Sequence, residues 1–398
     1  MSSRPRILAL MGGGVLFGQE RGNIEALAAL KEEGCEVLCI VRENLWRLEI
    51  PRALDARGLA WTKAPYIEHR IPGRLLHVIF RNPIVFLRAN WRFMRIVRQF
   101  RPTHIHAFNQ VYVLNFMIGL SSCRAPMVYR AGDQATLHNW FWRLTWNFVL
   151  WRTGMFVANS QFVARTLLHD GVSPEKLQVI YNAPPKRTNE AVRSYVLPEA
   201  PDLFKIVYVG QISEHKGVHI LVDAFRVVAT EFPEALLVIA GRISEWSGDA
   251  WGRALRETAK ADPQIGERIF FLGETEDIPS LLSSSCIHVA PSLFDDPSPN
   301  VVVEAKQAGR ASIVFPRGGM PELVRDSVDG FVCTDATSAA LVTALRRYLS
   351  DQNLARVHGV AAHASLLDLG VPEFPARWLE IYQTLKPKMA SAPPVSSQ

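Results

Sequence analysis

The stretch PSLFDDPSPNVVVEAKQAG, residues 291–309, follows an apolar run from Ser285 to Ala290 (SCIHVA) and reads as the turn from a buried strand into a helix. Ser298 is a natural N-cap, Pro299 takes the first helical position, and Gly309 closes the far end. A short apolar strand running into a helix is the repeating unit of a doubly wound sheet, whose parallel strands are covered on both faces. The helix start has chemical meaning. The amides of Asn300, Val301 and Val302 fall in its first turn, where open N–H groups and the dipole favour an anion. Asp296 stands just before that start and Glu304 just inside it. Two carboxylates beside one anion site repel bare phosphate and suit hydroxyl groups, which together describe a pocket for a nucleotide sugar.

Working outward, the same alternation recurs. RILALM, EVLCIV, HIHAF, MVYR, MFVA and LQVIY are strand candidates in the first half; FKIVYVG, ALLVIAG, RIFFLG, CIHVAPS and ASIVF are their counterparts in the second. Helical patterns separate them, as in an α/β fold of parallel sheets. RSYVLPEAPDLF, around Pro198 and Pro201, has the polar, proline-bearing character of a linker. The expectation is two Rossmann-like domains, 1–197 and 198–370, with a cleft between them. The tail at 388–398 reads as disordered. Uncharged residues run from Pro102 to Cys123, but His104, His106, Asn109, Gln110 and Asn115 within them argue for a strand and a buried helix over a membrane span.

The 398 residues suffice for two or three domains, and 21% charged residues is ordinary for a globular enzyme. Five scattered cysteines read as core thiols of a reducing, cytoplasmic compartment, without zinc-ligand spacing. The N-terminus turns to glycine too soon for a signal peptide. The net charge of +6 conceals an asymmetry: residues 1–200 carry 26 Lys and Arg against 14 Asp and Glu, while the remainder is net acidic. Between His69 and His169 the sole acid is Asp133 among thirteen arginines. Such a field implies an anionic partner: a membrane surface, an acidic polymer or nucleic acid.

Further pieces of the second half fall at strand ends, where ligands of such sheets bind. After FKIVYV the strand ends at Gly210, and Lys216 precedes a helix beginning near Gly217, a place where ammonium and dipole together hold a diphosphate. Gly241 ends the next strand, followed by Arg242. Gly273 and Glu274 offer backbone groups to a base, and Gly318-Gly319 admit a close backbone approach ahead of Glu322. Lys216 alone is more often solvated and Glu304 alone a helix-surface acid; their joint order is what carries weight.

VGQISEHKGVHILVDAF, PSLFDDPSPNVVVEAKQAGR and GGMPELVRDSVDG together resemble retaining glycosyltransferase family 4, whose GT-B fold has two facing Rossmann-like domains. FGQERGNIEALAAL and VANSQFVARTLLHDGVSPEKLQVIYNAPP extend the resemblance through the first half. It implies that Lys216 binds the donor diphosphate, that Glu304 holds the ribose hydroxyls, and that Asp296 contacts the donor sugar near its anomeric carbon. It implies donor contacts from Gly210 and Gln211 also, and a final helix, 371–387, crossing back to the first domain. No metal or cofactor is implied beyond the nucleoside-diphosphate sugar itself, and Asp295-Asp296 are adjacent where a metal motif would be spaced. Three departures stand out: Gln211 replaces an arginine, for which Arg242 could compensate; Asp296 replaces a glutamate; Asn182-Ala183 replaces Asn-Gly.

The first half is then the acceptor side, with Gly13 and Gly14 ending its first strand. Asp133 can orient or deprotonate an acceptor hydroxyl, or cap a helix and neutralise Arg130. His106 and His138 either line that site or are satisfied core histidines. Residues 84–99 form a helix with Arg88, Arg92 and Arg95 on one stripe and Phe86, Phe93 and Val97 opposite. WFWRLTWNFVLWR, Trp140 to Arg152, suits a membrane interface or a buried helix, the latter being favoured for Trp146.

The expected function is transfer of a hexose, with retention, to a glycan or lipid-linked acceptor in bacterial-type surface polysaccharide or glycolipid synthesis, beside an anionic membrane. A nucleotide-sugar epimerase or phosphorylase is the alternative. A basic nucleic-acid-binding protein ranks last, since it leaves the second-half carboxylates without a task.

Overall fold

The computed structural model describes residues 4–13, 15–43, 48–66, 83–184, 203–243, 249–275 and 277–386. The linker around Pro198 and Pro201, the 197/198 boundary, the tail from Lys388 and Gly14 lie outside the described residues. The chain forms two compact units, Met1–Ile180 with Glu373–Gln398, and Tyr181–Pro372.

In the first unit the order is β1 (Arg6–Met11), α1 (Gly18–Glu32), β2 (Glu36–Arg42), α2 (Glu49–Ala56), β3 (Ala60–Ala64), α3 (Pro83–Phe100), β4 (His104–Ala107), α4 (Gln110–Asn115), α5 (Met117–Ser122), β5 (Met127–Ala131), α6 (Trp140–Arg152), β6 (Thr153–Ala158), α7 (Gln161–His169) and β7 (Leu177–Val179). All pairings are parallel, in the order β3-β2-β1-β4-β5-β6-β7. The strands are apolar because helices cover both faces: Ile7 to Met11 are fully buried. The stretch from Pro102 to Cys123 becomes β4 and two short helices. Among the described residues, no helix is long and apolar enough to cross a membrane.

The second unit runs β8 (Phe204–Val209), α8 (Val218–Glu231), β9 (Ala235–Ala240), α9 (Asp249–Ala261), β10 (Ile269–Gly273), α10 (Ile278–Ser283), β11 (Ile287–Ala290), α11 (Asn300–Gln307), β12 (Ala311–Val314), α12 (Met320–Leu323), β13 (Gly330–Val332), α13 (Ser338–Ser350) and α14 (Gln352–Ala364). Its parallel sheet is ordered β10-β9-β8-β11-β12-β13. Every residue of β9 (ALLVIA) is buried. In α8, Val218, Leu221, Val222, Phe225 and Val228 recur at helical spacing and sink into that core. Emptying one such site, Phe225→Ala for example, costs about 3–5 kcal/mol.

The chain then re-enters the first unit as α15 (Phe374–Thr384), packed on α1. The Arg377 guanidinium donates to the Val179 carbonyl at 2.5 Å, His104 Nε2 lies 2.8 Å from the Leu385 carbonyl, and Trp378 is wholly buried. In each sheet the strand order reverses once, between β1 and β4 and between β8 and β11. Ligands of such sheets bind outside the carboxyl ends of the strands at this reversal.

Candidate functional site

At the β8/β11 reversal the two loops are joined. From β8 the chain makes a 3₁₀ turn, Glu214–Lys216, then passes Gly217 into α8. From β11 it runs through Pro291 to Asp296. The Leu293 amide donates to the His215 carbonyl at 2.8 Å. Lys216 Nζ donates to Asp296 Oδ2 at 2.6 Å, and the same ammonium lies 4.5 Å above the Phe294 ring. Asp296 is buried, whereas Lys216 keeps about a quarter of its side chain open, 24%. Burial first, and then the Lys216 charge, push the His215 imidazole below its usual range, against the pull of Asp296. His215 is therefore neutral near pH 7, and the positive charge of this turn belongs to Lys216. Sequence reasoning placed Lys216 and Asp296 at one site; their direct ion pair was not foreseen.

The glycine pair after β12 explains how Asp296 is held. Gly318 adopts φ +55, and a Cβ there would lie 2.3 Å from the Asp296 carbonyl oxygen. The Gly319 amide donates to that same carbonyl at 2.9 Å. Glycine at 318 thus lets one loop lie flat on the backbone that presents the carboxylate. Arg317 beside it faces Asp295 at 3.7 Å.

Two expectations about α11 need correction. The helix starts at Asn300 with Pro299 in extended conformation as its N-cap, so Ser298 lies one residue too early to cap it, and its buried Oγ has no hydrogen-bond partner. The Val302 amide turns back to the Pro299 carbonyl at 3.1 Å and is not presented outward. Asn300 and Val301 remain in the first turn. The Asn182 side-chain amide reaches this start, donating to Asn300 Oδ1 at 2.6 Å and to the Ser298 carbonyl. Next to it, Tyr181 Oη donates to Glu322 Oε2 at 3.2 Å. Asn182 was legible only as a turn residue. Glu304 is buried on the second turn of α11.

The tips of β8, β9 and β10 lie side by side, with a register shift between Phe271 and Gly273 of β10. Gly210 donates to the Ala240 carbonyl and Gly241 to that of Gly273. Gly241, at φ +148, has no room for a Cβ, which would fall 1.7 Å from the Gly210 carbonyl oxygen. The Ile212 amide donates to the Arg242 carbonyl, which brings Gln211 and Arg242 to one edge, both half-buried. Glu274 follows exposed.

The first unit arms its tips differently. Gly13, after β1, faces Tyr112 and Glu20, leaving a Cβ only 2.9 Å from the phenol oxygen and 3.0 Å from the carboxylate. Burial pushes the Glu20 carboxyl above its usual range, opposed by hydrogen bonds from the backbone of Glu20 and Phe17. Neither Glu20 nor Tyr112 was singled out from the sequence, where they look like helix-surface and core residues. His106 is a core histidine: it is fully buried, Nδ1 lies 2.6 Å from Tyr382 Oη and Nε2 2.8 Å from Asn23 Oδ1. Burial holds it neutral, down to about 3, so neither ring nitrogen is left for a substrate.

Asp133 is exposed on the β5–α6 loop, where Oδ1 accepts from the Gln134 amide. It caps no helix, since Asn139 caps α6. His138, on the same loop and not a helical turn beyond Asp133, is exposed beside Trp142. A groove of about 470 Å³ lies along this loop, lined by Gln134, Leu137, Phe162, Arg165 and His169. Arg88 and Arg95 project from α3, but Arg92 is laid on β3, donating to the Lys63 carbonyl and approaching Thr62 Oγ1.

Comparison with known proteins matches residues 18–183 to the Glycosyltransferase Family 4 model and residues 204–351 to Glycosyl transferases group 1. The chain is 31% identical over 136 residues to spore coat protein SA of Bacillus subtilis (strain 168), covering 33% of this chain and 35% of that one. It is 26% identical over 191 residues to the Escherichia coli UDP-Gal:alpha-D-GlcNAc-diphosphoundecaprenol alpha-1,3-galactosyltransferase, 46% of this chain and 48% of that one. The chain thus spans between about a third and a half of these curated relatives. Among solved structures, Anabaena HepE in complex with UDP and glucose superposes with a TM-score of 0.75 at 19% identity, over 96% of this chain and all of that one.

Proposed function

The chain belongs to the family 4, group 1 glycosyltransferases, with their GT-B fold, and we propose that within them it is a retaining hexosyltransferase using a nucleoside-diphosphate sugar and no metal. The observation that carries this is the Lys216–Asp296 ion pair across the strand reversal of the second sheet. As the sugar–phosphate bond breaks, its electron pair leaves with the diphosphate. Lys216, with the Asn300 and Val301 amides, meets the developing negative charge. Preorganised charge at the leaving group is the largest single means of accelerating such a step. Glu304 takes the ribose hydroxyls, Asp296 the donor sugar, and Gln211 and Arg242 the phosphate edge. Gly273 and Glu274 border the base.

The acceptor, a glycan or lipid-linked saccharide, binds the first unit, where Asp133 orients its hydroxyl. The likeness to a galactosyltransferase named for a diphosphoundecaprenol acceptor supports the lipid-linked class. UDP in the HepE complex supports a uridine donor. The net +12 of residues 1–200 supports work at an anionic membrane surface, without spanning it, in surface polysaccharide or glycolipid synthesis.

The test is calorimetry with UDP, GDP and ADP, followed by acceptor-dependent release of the preferred nucleotide and anomeric assignment of the product by NMR. Absence of affinity for all three nucleotides sinks the donor site, and an inverted anomer sinks retention. Isomerisation of donor alone would transfer the reading to an epimerase.

A further inference from the structure

Two helices of the first unit, α3 and α6, are apolar on both sides. Inward, α3 buries Ala89, Phe93 and Ile96, and α6 buries Trp142, Trp146 and Val149. Outward, α3 shows Ile84, Leu87 and Trp91, and α6 shows Trp140, Leu144 and Trp151, all between 57 and 70% exposed. Each trio follows helical spacing, so each is a stripe and not a scatter of single residues. Arg88, Arg95 and Arg98 are interleaved with the α3 stripe, and the Arg95 guanidinium stands 5.7 Å over the Trp91 ring.

The two stripes share one side of the sheet. The crossovers β3 to β4, β4 to β5 and β5 to β6 all advance in one direction across it, and right-handed crossovers then lay α3 through α6 on the same face. Contacts of α3 with α5 and of α4 with α6 make the layer continuous, and exposed Ile118 of α5 lies within it. Neither the run 83–122 nor α6 contains an Asp or Glu.

That composition selects the occupant. A second copy docked through this face would set arginines against arginines with no acid to answer them, the like-charge juxtaposition that interfaces avoid. Nucleic acid would meet the arginines and rings but gain nothing from Ile84, Leu87, Ile118 and Leu144. The boundary of an anionic bilayer accepts all three kinds of side chain: phosphate for the guanidinium, headgroup depth for indole, and acyl chain for Leu and Ile.

We infer that α3 and α6 form a membrane-docking face that inserts Ile84, Leu87, Trp91, Trp140, Leu144 and Trp151 into an anionic leaflet, with Arg88, Arg95 and Arg98 on lipid phosphate. This rests on the peripheral attachment proposed above and adds that insertion, beyond charge, holds the protein.

The test floats the full chain with vesicles of phosphatidylcholine, with and without phosphatidylglycerol, at low and high salt. Wild type is expected on the anionic vesicles at low salt and partly retained at high salt. Trp91→Ser/Trp140→Ser/Trp151→Ser should lose about tenfold or more of the salt-resistant partition at an unchanged unfolding temperature. Leu87→Gln/Leu144→Gln should do the same without touching a ring. Arg88→Gln/Arg95→Gln/Arg98→Gln should lose chiefly the low-salt term, about fivefold per arginine. Brominated acyl chains should quench wild-type tryptophan emission and leave the triple tryptophan variant unaffected. Equal high-salt flotation of wild type and both apolar variants, or emission indifferent to bromine, overturns insertion while leaving charge-held attachment standing. Indifference of wild type to every vesicle removes the attachment itself. Displacement from vesicles by an oligonucleotide of equal charge would reassign the face to nucleic acid.

Discussion

The two sheets repeat one device and finish it differently. In each, the strand just beyond the reversal carries a fully buried histidine, His106 on β4 and His288 on β11, and burial holds both neutral, down to about 3. His106 spends both ring nitrogens on Tyr382 and Asn23, whereas His288 reaches Ser312 Oγ and leaves Nε2 without a hydrogen bond. Above them the contrast sharpens. The second sheet keeps opposite charges at its tip and fixes their backbone with glycine contacts, while the first buries its tip carboxylate and turns its cations outward on helices. One unit holds its opposite charges still at the strand tips; the other carries its arginines outward on helices.

The largest expected effect lies on α11 of the second unit. Lys306 of α11 is buried, with Nζ 3.0 Å from Asp329 Oδ2 and 2.8 Å from Ser365 Oγ. Lys306→Met leaves buried Asp329 to half-exposed Arg325, whose Nε lies 3.0 Å from the same Oδ2, and should cost up to about 3–5 kcal/mol in urea unfolding. Adding Asp329→Asn, which removes the charge and keeps an acceptor for the Arg325 amide, should return part of it; no recovery would mean that the lysine matters through packing and not through the pair.

Next comes the charge itself. Lys216→Ala should lower turnover by about 10²–10³, the usual cost of one preorganised donor, whereas Asp133→Asn should cost about tenfold, seen in KM for the acceptor. Equal losses in kcat would erase the division of labour between the units.

The histidines give a smaller, pH-resolved effect. Their folded pKa values lie below the unfolded value of about 6.5, so the unfolded chain binds more protons between the two. Stability is therefore fully present above about pH 6.5 and falls as pH drops toward 3, by at most about 1.4 kcal/mol per pH unit for each histidine. His288→Leu should flatten this acid limb at a smaller cost at pH 7, since it orphans the Ser312 hydroxyl alone. His106→Leu should also flatten it, but lose about 1–3 kcal/mol at pH 7 by orphaning Tyr382 and Asn23. Urea titrations from pH 4 to 8 (roughly the window of these shifts) separate the two.

What could be read beforehand follows the same division. The second-half site was legible because glycine, lysine and the acid–proline run mark strand ends through local backbone demands. Its pairing was not, since Lys216 and Asp296 are brought together only by strand order. The edge strand β3 escaped because AWTKA mixes polar and apolar types without a buried run, and β13 because Gly330–Val332 is too short to show a period. Ser298 misled because a capping side chain is worth nothing when the helix starts one residue later. On α6, periodicity separates Trp142 and Trp146 from Trp140 and Trp151 but assigns neither pair to the inside, since both stripes are apolar.

The last helix sets the schedule on which this protein comes into being. Tyr382 completes a hydrogen bond to His106, and Trp378 fills the layer over α1, so a nascent chain holding residues 1–372 has a first sheet with one flank bare. The second unit is contiguous in sequence and closes on itself; the first waits for the residues from Glu373 onward. A chain cut short before Phe374 should thus yield an intact second unit joined to a partner prone to clump, with holdase chaperones its expected company.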